Sequence, residues 1–245
     1  MHGCLVLFDI DGTLIDADGA GLDAIRLATR DLYGSRGGVL PELDVRGATD
    51  AALAREVLPA FGVDCTASRI KELYDAYLFR LREQLDEPRP QAMVLPGVRR
   101  LLDLLTEGGA VLGLLTGNLE AGAWLKLQRF GVDHYFSFGA FGDEHAERNK
   151  LGPEALARAE EVQNHSFSPS RTVIVGDTPR DVSCGQAIGA LTIAVATGSF
   201  SLEQLSACNP TLAVRSLEDS SRIVGLLKNC SEGRDEACTG SKSPA

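Results

Sequence analysis

The fold of this chain is decided by the stretch CLVLFDIDGT, residues 4–13. Residues 4–8 are apolar at every position, which is typical of a short strand buried on both faces of a parallel sheet. The run ends in two aspartates, Asp9 and Asp11, and Gly12 allows the chain to turn there. The stretch therefore predicts a central strand that delivers two carboxylates to one end of a sheet.

The same pattern recurs further along the chain, in apolar runs at residues 110–115, 172–175 and 191–195. Amphipathic helices are predicted between and after these runs, over residues 97–107, 119–130, 153–163 and 179–189. Strands that alternate with helices indicate a parallel sheet with right-handed crossovers. The predicted fold class is therefore α/β, with a Rossmann-like parallel sheet as its core.

Residues 16–93 have a different character, because they contain no convincing buried strand. Their apolar spacing predicts three helices, roughly over residues 19–33, 50–60 and 66–86. We expect this segment to be an inserted helical cap domain on a discontinuous core. That core comprises residues 1–15 plus 94–229. The last stretch, 230–245, is rich in Ser, Gly and charge and is expected to be a disordered tail.

Composition limits the classes of partner. The net charge of −10 makes nucleic acid and anionic membranes poor partners. No apolar run approaches the ~18–20 residues that span a bilayer, and the N-terminal run is too short for a signal peptide. The six cysteines form no CxxC pair, so buried thiols are expected in place of a zinc site or a disulfide framework. We expect a cytoplasmic protein that is a monomer or a homodimer.

Chemically useful side chains follow three of the predicted strands, where the carboxyl ends of parallel strands collect. Asp9 and Asp11 follow the first, Thr116 follows the second, and Asp177 follows the third, with Asp181 four residues later. Such carboxylates can hold a magnesium ion, or act as a nucleophile and a general acid/base. An Asp-Gly turn and a helix N-cap are the structural alternatives for these aspartates.

Two further sets of residues complete the predicted site. Thr116, Gly117 and Asn118 offer a hydroxyl, a glycine that permits close approach and an amide where a helix begins, an arrangement that suits phosphate, although an ordinary helix cap has the same composition. A cation is also needed beside so many carboxylates. Arg148 and Lys150, just before the helix predicted at 153–163, are the two candidates.

Together these motifs resemble the haloacid dehalogenase-like hydrolase superfamily, in the branch that contains phosphoglycolate phosphatases and β-phosphoglucomutases. The family's DxDGT motif matches residues 9–13, its second-motif threonine matches Thr116, and its GDxxxD motif matches Asp177 and Asp181. The order and spacing are similar over the whole chain except the tail, and the helical insert matches the family's cap in position. The resemblance implies that Asp9 is a nucleophile that forms a phospho-aspartyl intermediate and that Asp11 is the general acid/base.

The resemblance implies further roles at matching positions. Magnesium would be held by Asp9, the backbone carbonyl of Asp11 and Asp177, with Asp181 in support. Substrate or phosphate contacts are implied for Thr13, Thr116, Gly117 and Asn118 and, in a cap loop at 46–50, for Arg46 and Thr49.

The third motif departs from the common KPxP form. Lys150 keeps the K-x-x-P spacing to Pro153, whereas Arg148 resembles a sub-branch that uses arginine, so both stay candidates.

The implied function is a magnesium-dependent phosphatase that acts on small-molecule phosphomonoesters, similar to phosphoglycolate phosphatase. A phosphomutase shares the same core residues and stays an alternative. A non-catalytic binding protein would have lost a core acid, and none is lost. Asp11 argues against carbon–halogen cleavage, because an acid is needed only where the leaving group takes a proton.

Overall fold

A computed structural model of the protein describes residues 1–34, 37–143 and 145–231. The strands in chain order are β1 (Leu5–Phe8), β2 (Ile15–Asp16), β3 (Met93–Val94), β4 (Val111–Leu115), β5 (Gly139–Ala140), β6 (Thr172–Gly176), β7 (Leu191–Val195) and β8 (Leu212–Val214). The helices are α1 (Ala20–Tyr33), α2 (Asp50–Ala60), α3 (Ala67–Asp86), α4 (Val98–Glu107), α5 (Glu120–Phe130), α6 (Leu151–Gln163), α7 (Pro179–Ile188), α8 (Leu202–Ser206) and α9 (Ser220–Ser231).

The core of the molecule is a six-stranded parallel sheet with the order β5-β4-β1-β6-β7-β8. β1 is central, since Leu5 pairs with Val111 of β4 on one side and with Thr172 of β6 on the other. The predicted α/β class with a parallel sheet is confirmed.

The all-apolar sequence of β1 follows from its position between two layers of packed side chains. Val6 and Phe8 belong to one apolar cluster, and Leu5 and Leu7 belong to another. Successive side chains of a strand point to opposite faces, so both faces of β1 are covered. All four side chains are fully buried, and burial of such a side chain contributes about 1.5–3 kcal/mol.

The four strands predicted from apolar runs are present, and their bounds differ from the prediction by one residue at most. The prediction did not include β2, β3, β5 and β8, which contain only two or three residues each. Runs this short carry too little periodicity to be recognised. β2 and β3 pair antiparallel, with Ile15 opposite Val94, at the two points where the chain leaves and rejoins the sheet.

Helices α1, α2 and α3 confirm the three helices that were predicted between residues 19 and 86. They share an apolar cluster that includes Tyr33, Val57, Leu58 and Leu73. The division into a core and a cap domain at residues 16 and 93 stays a prediction.

Three sequence expectations concern the ends, the cysteines and the membrane. α9 continues to Ser231, two residues into the predicted tail, and the rest of that tail lies outside the described residues. Cys4 and Cys184 are buried, whereas Cys65 is exposed, contrary to the expectation of buried thiols. Among the described helices, none combines the length and apolar character needed to cross a membrane.

Candidate active site

The predicted site residues meet at the carboxyl ends of three adjacent strands. Asp9 follows β1, Thr116 follows β4 and Asp177 follows β6. These residues form one wall of a cavity of about 550 Å³. Apolar and tyrosine side chains of α1, α2 and α3 form the facing wall, including Leu22 and Tyr77. The sheet therefore supplies the charged groups, and the inserted helices enclose them.

A cluster of three carboxylates lies on the sheet side of this cavity. One oxygen from each of Asp9, Asp177 and Asp181 lies within 4.8 Å of the others, and all three residues are buried. Burial raises the pKa of Asp9 to about 6, with Asp181 and Asp11 adding to the rise and Arg148 opposing it. Burial likewise raises the pKa of Asp177 to about 8, and the charges of Asp9 and Asp181 add to it.

These carboxylates suit a hard divalent cation. Buried charges need partners, and carboxylate oxygens are the ligands that magnesium prefers. Burial, and to a lesser extent the neighbouring carboxylates, raises the pKa of Asp9 and of Asp177, so a bound cation would stabilise their ionised forms. Space beside Asp177 is kept by Gly12, whose φ is 80° and at which a Cβ would lie 2.5 Å from Asp177 Oδ2. The residues present therefore fit a divalent metal ion.

Asp181 also accepts hydrogen bonds from protein groups, and the sequence left open whether it binds a metal or caps a helix. Its Oδ1 accepts a hydrogen bond from Arg148 at 2.5 Å. Its Oδ2 accepts from the backbone N–H of Thr178 at 3.0 Å and from the Thr178 hydroxyl at 2.7 Å, which forms a capping box at the start of α7. Because both oxygens already have protein donors, Asp9 and Asp177 are the better placed metal ligands.

Arg148, and not Lys150, is the cation beside the carboxylates. Its Nη2 lies 3.0 Å from Asp9 Oδ1, and the residue is buried. The Lys150 side chain is 59% exposed and lies 3.9 Å from Glu147. The sequence left Lys150 and Arg148 as equal candidates, and in the structure only Arg148 lies beside the carboxylates. The two residues are two apart in the 3₁₀ turn 148–150, and a three-residue turn projects them to different sides.

The predicted phosphate loop after β4 lies against both Asp11 and the inserted helices. Asn118 Nδ2 donates to Thr116 Oγ1 and to Asp11 Oδ2, both at 2.8 Å. The carbonyl of Gly117 accepts from the Asp50 N–H at 2.7 Å, and a Cβ on Gly117 would collide with the carbonyl of Ala48. Gly117 therefore allows a close approach, as predicted. The group that approaches it in the structure is the loop before α2.

Three predicted substrate contacts have other partners. Thr13 is fully buried and its hydroxyl donates to Asp177 Oδ1 at 3.3 Å, so it supports the carboxylate. Thr49 is buried and caps α2 by accepting from the Ala52 N–H at 3.2 Å, so an ordinary helix cap accounts for it. Arg46 lines the cavity, but it pairs with Asp44 at 2.7 Å.

Two cavity residues were not named among the predicted contacts, although Asp50 lies in the predicted cap loop at 46–50. Lys126 of α5 has a side chain only 5% exposed, and its Nζ lies 2.6 Å from Asp11 Oδ2. Asp50 Oδ2 accepts from the Leu119 N–H at 2.7 Å, and burial raises the pKa of Asp50 to about 6. The available signal for Lys126 was its spacing, three residues after Ala123 and four before Phe130, which places it on the same face of the predicted helix as these apolar residues.

Comparison with known proteins agrees with this geometry. The family model described as haloacid dehalogenase-like hydrolase matches residues 6–195. The chain is 30% identical over 225 residues to a Dickeya dadantii protein named "Probable phosphatase IndB", with 90% of this chain and 92% of that protein covered. It is 30% identical over 199 residues to the N-acetylmuramic acid 6-phosphate phosphatase of Pseudomonas aeruginosa, with 79% and 81% covered.

A solved structure shows the same fold. It is described as a predicted phosphoglycolate phosphatase from Haemophilus somnus, and it matches with a TM-score of 0.68 and 19% identity. The match covers 91% of this chain and 98% of the other.

Proposed function

The chain belongs to the haloacid dehalogenase-like hydrolase family, and on that premise we propose that it is a magnesium-dependent phosphatase of small phosphomonoesters. The observation that carries the proposal is the position of Asp9, a buried carboxylate at the end of β1 that faces the cavity beside Asp177 and Arg148. The names of the two relatives at 30% identity, both phosphatases, support the same class.

These residues supply a ligand set for magnesium. Asp9, Asp177 and the backbone carbonyl of Asp11 would hold the ion, and Asp181 would support them through Arg148 and the start of α7. When bound, the ion would offset the negative charge of the phosphoryl oxygens and help orient them.

The proposed reaction has two steps, both at Asp9. In the first, the Asp9 carboxylate attacks phosphorus, the ester P–O bond breaks, and Asp11 gives a proton to the leaving oxygen. In the second, water attacks phosphorus, Asp11 takes a proton from that water, and the bond between phosphorus and Asp9 breaks to release phosphate. Asp11 therefore ends in its starting state.

The other residues of the site bind and orient. Arg148 fixes the Asp9 carboxylate from 3.0 Å and offsets charge as the phosphoryl group arrives. Arg148 Nε is buried and makes no hydrogen bond within the described residues. The Thr116 hydroxyl and the backbone N–H groups near Gly117 are proposed to bind the phosphoryl oxygens.

Helices α1, α2 and α3 are proposed to act as the cap that encloses the substrate and excludes water during transfer. A cavity of about 550 Å³ has room for a small phosphorylated metabolite. A phosphomutase would use the same residues, but it would return the phosphoryl group to a hydroxyl instead of to water. Release of inorganic phosphate distinguishes the two.

The test is phosphate release from a panel of phosphomonoesters, with magnesium and with EDTA, by the wild-type protein and by Asp9→Asn. We expect magnesium-dependent release by the wild type and only background release by Asp9→Asn. Asp75→Asn, a change of the same type at a side chain 62% exposed on α3, is the control and should retain activity. If folded Asp9→Asn kept more than a trace of activity, Asp9 would not be the nucleophile.

A further inference from the structure

Lys126 is a buried cation at the site for which the proposed reaction has no task. It is exposed by only 5%, and burying an ammonium group is costly unless it is paired. Its Nζ lies 2.6 Å from Asp11 Oδ2 and donates to Asn118 Oδ1, also at 2.6 Å. Asn118 in turn donates to Asp11 at 2.8 Å. The three side chains therefore form a closed ring of hydrogen bonds.

The two carboxylate oxygens of Asp11 differ in their hydrogen-bond partners. Oδ2 accepts from both Lys126 and Asn118. Oδ1 makes no hydrogen bond within the described part of the chain, and the Asp11 side chain is 44% exposed. A carboxylate anchored at one oxygen presents the other in a defined direction, so Oδ1 is the oxygen available to the substrate.

The ring lies at the boundary with the inserted helices. A Cβ at Gly21 of α1 would lie 3.6 Å from Lys126 Nζ and 3.6 Å from the Tyr77 hydroxyl of α3. Tyr77 is itself buried. The Lys126 ammonium therefore lies against α1 and close to Tyr77 of α3.

We propose that Lys126 is a positioning residue, which holds the Asp11 carboxylate so that Oδ1 can pass a proton to the leaving oxygen. This inference rests on the proposed phosphatase reaction, in which Asp11 is the general acid/base. A positioning role for Lys126 predicts a dependence on the leaving group that a purely structural role does not predict. An alkyl alcohol leaves poorly without a proton, whereas p-nitrophenolate leaves readily without one, so the effect of Lys126 must depend on the leaving group.

The experiment compares Lys126→Met with the wild type on p-nitrophenyl phosphate and on glycerol phosphate, with magnesium. We expect kcat/KM on glycerol phosphate to fall about 10²-fold, the lower end of what acid/base catalysis contributes, and kcat/KM on p-nitrophenyl phosphate to fall by less than about 10-fold. The comparison uses kcat/KM because it reports the step in which the leaving group departs, whereas hydrolysis of the phosphorylated Asp9 is the same for both substrates. Lys71→Met, which removes an exposed lysine of α3 (74% exposed), is the matched control and should behave as the wild type.

Other outcomes overturn the inference. An equal loss on both substrates would show a general effect on the site, and a rise in KM alone would show that Lys126 binds substrate. If Lys126→Met does not fold, as judged by its thermal transition, Lys126→Gln carries the same comparison. A wild type without phosphatase activity would refute the proposed function itself, whereas an active wild type with no leaving-group dependence refutes only the role of Lys126.

Discussion

Replacing Arg148 with methionine removes the cation that lies between two buried carboxylates while keeping much of the side-chain volume. Arg148 Nη2 is 3.0 Å from Asp9 and 2.5 Å from Asp181, and the exposed fractions of the three side chains are 5%, 7% and 2%. The change leaves two negative charges buried with less compensation. The change should therefore lower the stability of the protein and alter the ionisation of Asp9, the proposed nucleophile.

The expected size of each effect follows from this burial. Removing one partner of a buried ion pair costs about 3–5 kcal/mol of folding free energy. Arg148 is also the strongest influence that lowers the pKa of Asp9, which burial already raises to about 6. Without that charge the pKa of Asp9 in the metal-free protein rises further, which should weaken the binding of a metal ion that needs the ionised carboxylate. Together with the lost contact to the phosphoryl group, this should lower kcat by about 10²- to 10³-fold.

The assay uses Lys150→Met as the matched variant, since it removes the same charge two residues away at a side chain 59% exposed. Urea unfolding in EDTA measures the free energy of unfolding, and phosphate release with magnesium measures kcat. We expect Lys150→Met to change stability by less than about 1 kcal/mol, as is usual for exposed pairs, and to stay active. Equal losses in the two variants, or a larger loss in Lys150→Met, would refute the assignment of Arg148.

Three further predictions concern pH, the cap and the metal. The pKa of Asp50 is raised to about 6 from its ordinary 3.8, so the folded state holds this proton more tightly and stability falls as pH rises from about 4 to about 6. Asp50→Asn should make the decline in the free energy of unfolding over that range smaller by up to about 3 kcal/mol, while the part that comes from Asp9 and Asp177 stays; an unchanged slope in urea unfolding would contradict it. Gly117→Ala should cost about 1–3 kcal/mol in thermal unfolding and raise KM, because its Cβ collides with the carbonyl of Ala48; a variant equal to the wild type would mean that the loop moves freely. Magnesium binding at pH 7 should release protons, because the pKa of Asp177 is about 8 and a metal ligand must be ionised. Calorimetry in buffers of different ionisation enthalpy measures this release, and binding without it would argue against Asp177 as a ligand.

Much of the fold was predictable because burial on both faces of a parallel sheet requires an apolar residue at nearly every strand position. β1, β4, β6 and β7 show this pattern, and their polar ends indicated where the site would lie. β2 and β3 could not be found in this way, because two-residue strands depend on their partner and not on their own pattern.

By itself, the sequence determined the α/β class, the helical insert and the group of aspartates at the strand ends, since each of these follows from local periodicity and from where a strand stops. Only the tertiary structure decided which cation reaches Asp9, that Thr13 and Thr49 have internal partners, and that Lys126 contacts Asp11. Lys126 and Asp11 are 115 residues apart in the chain. A contact of that kind depends on how α5 packs against the sheet and the inserted helices, and no local pattern contains that information.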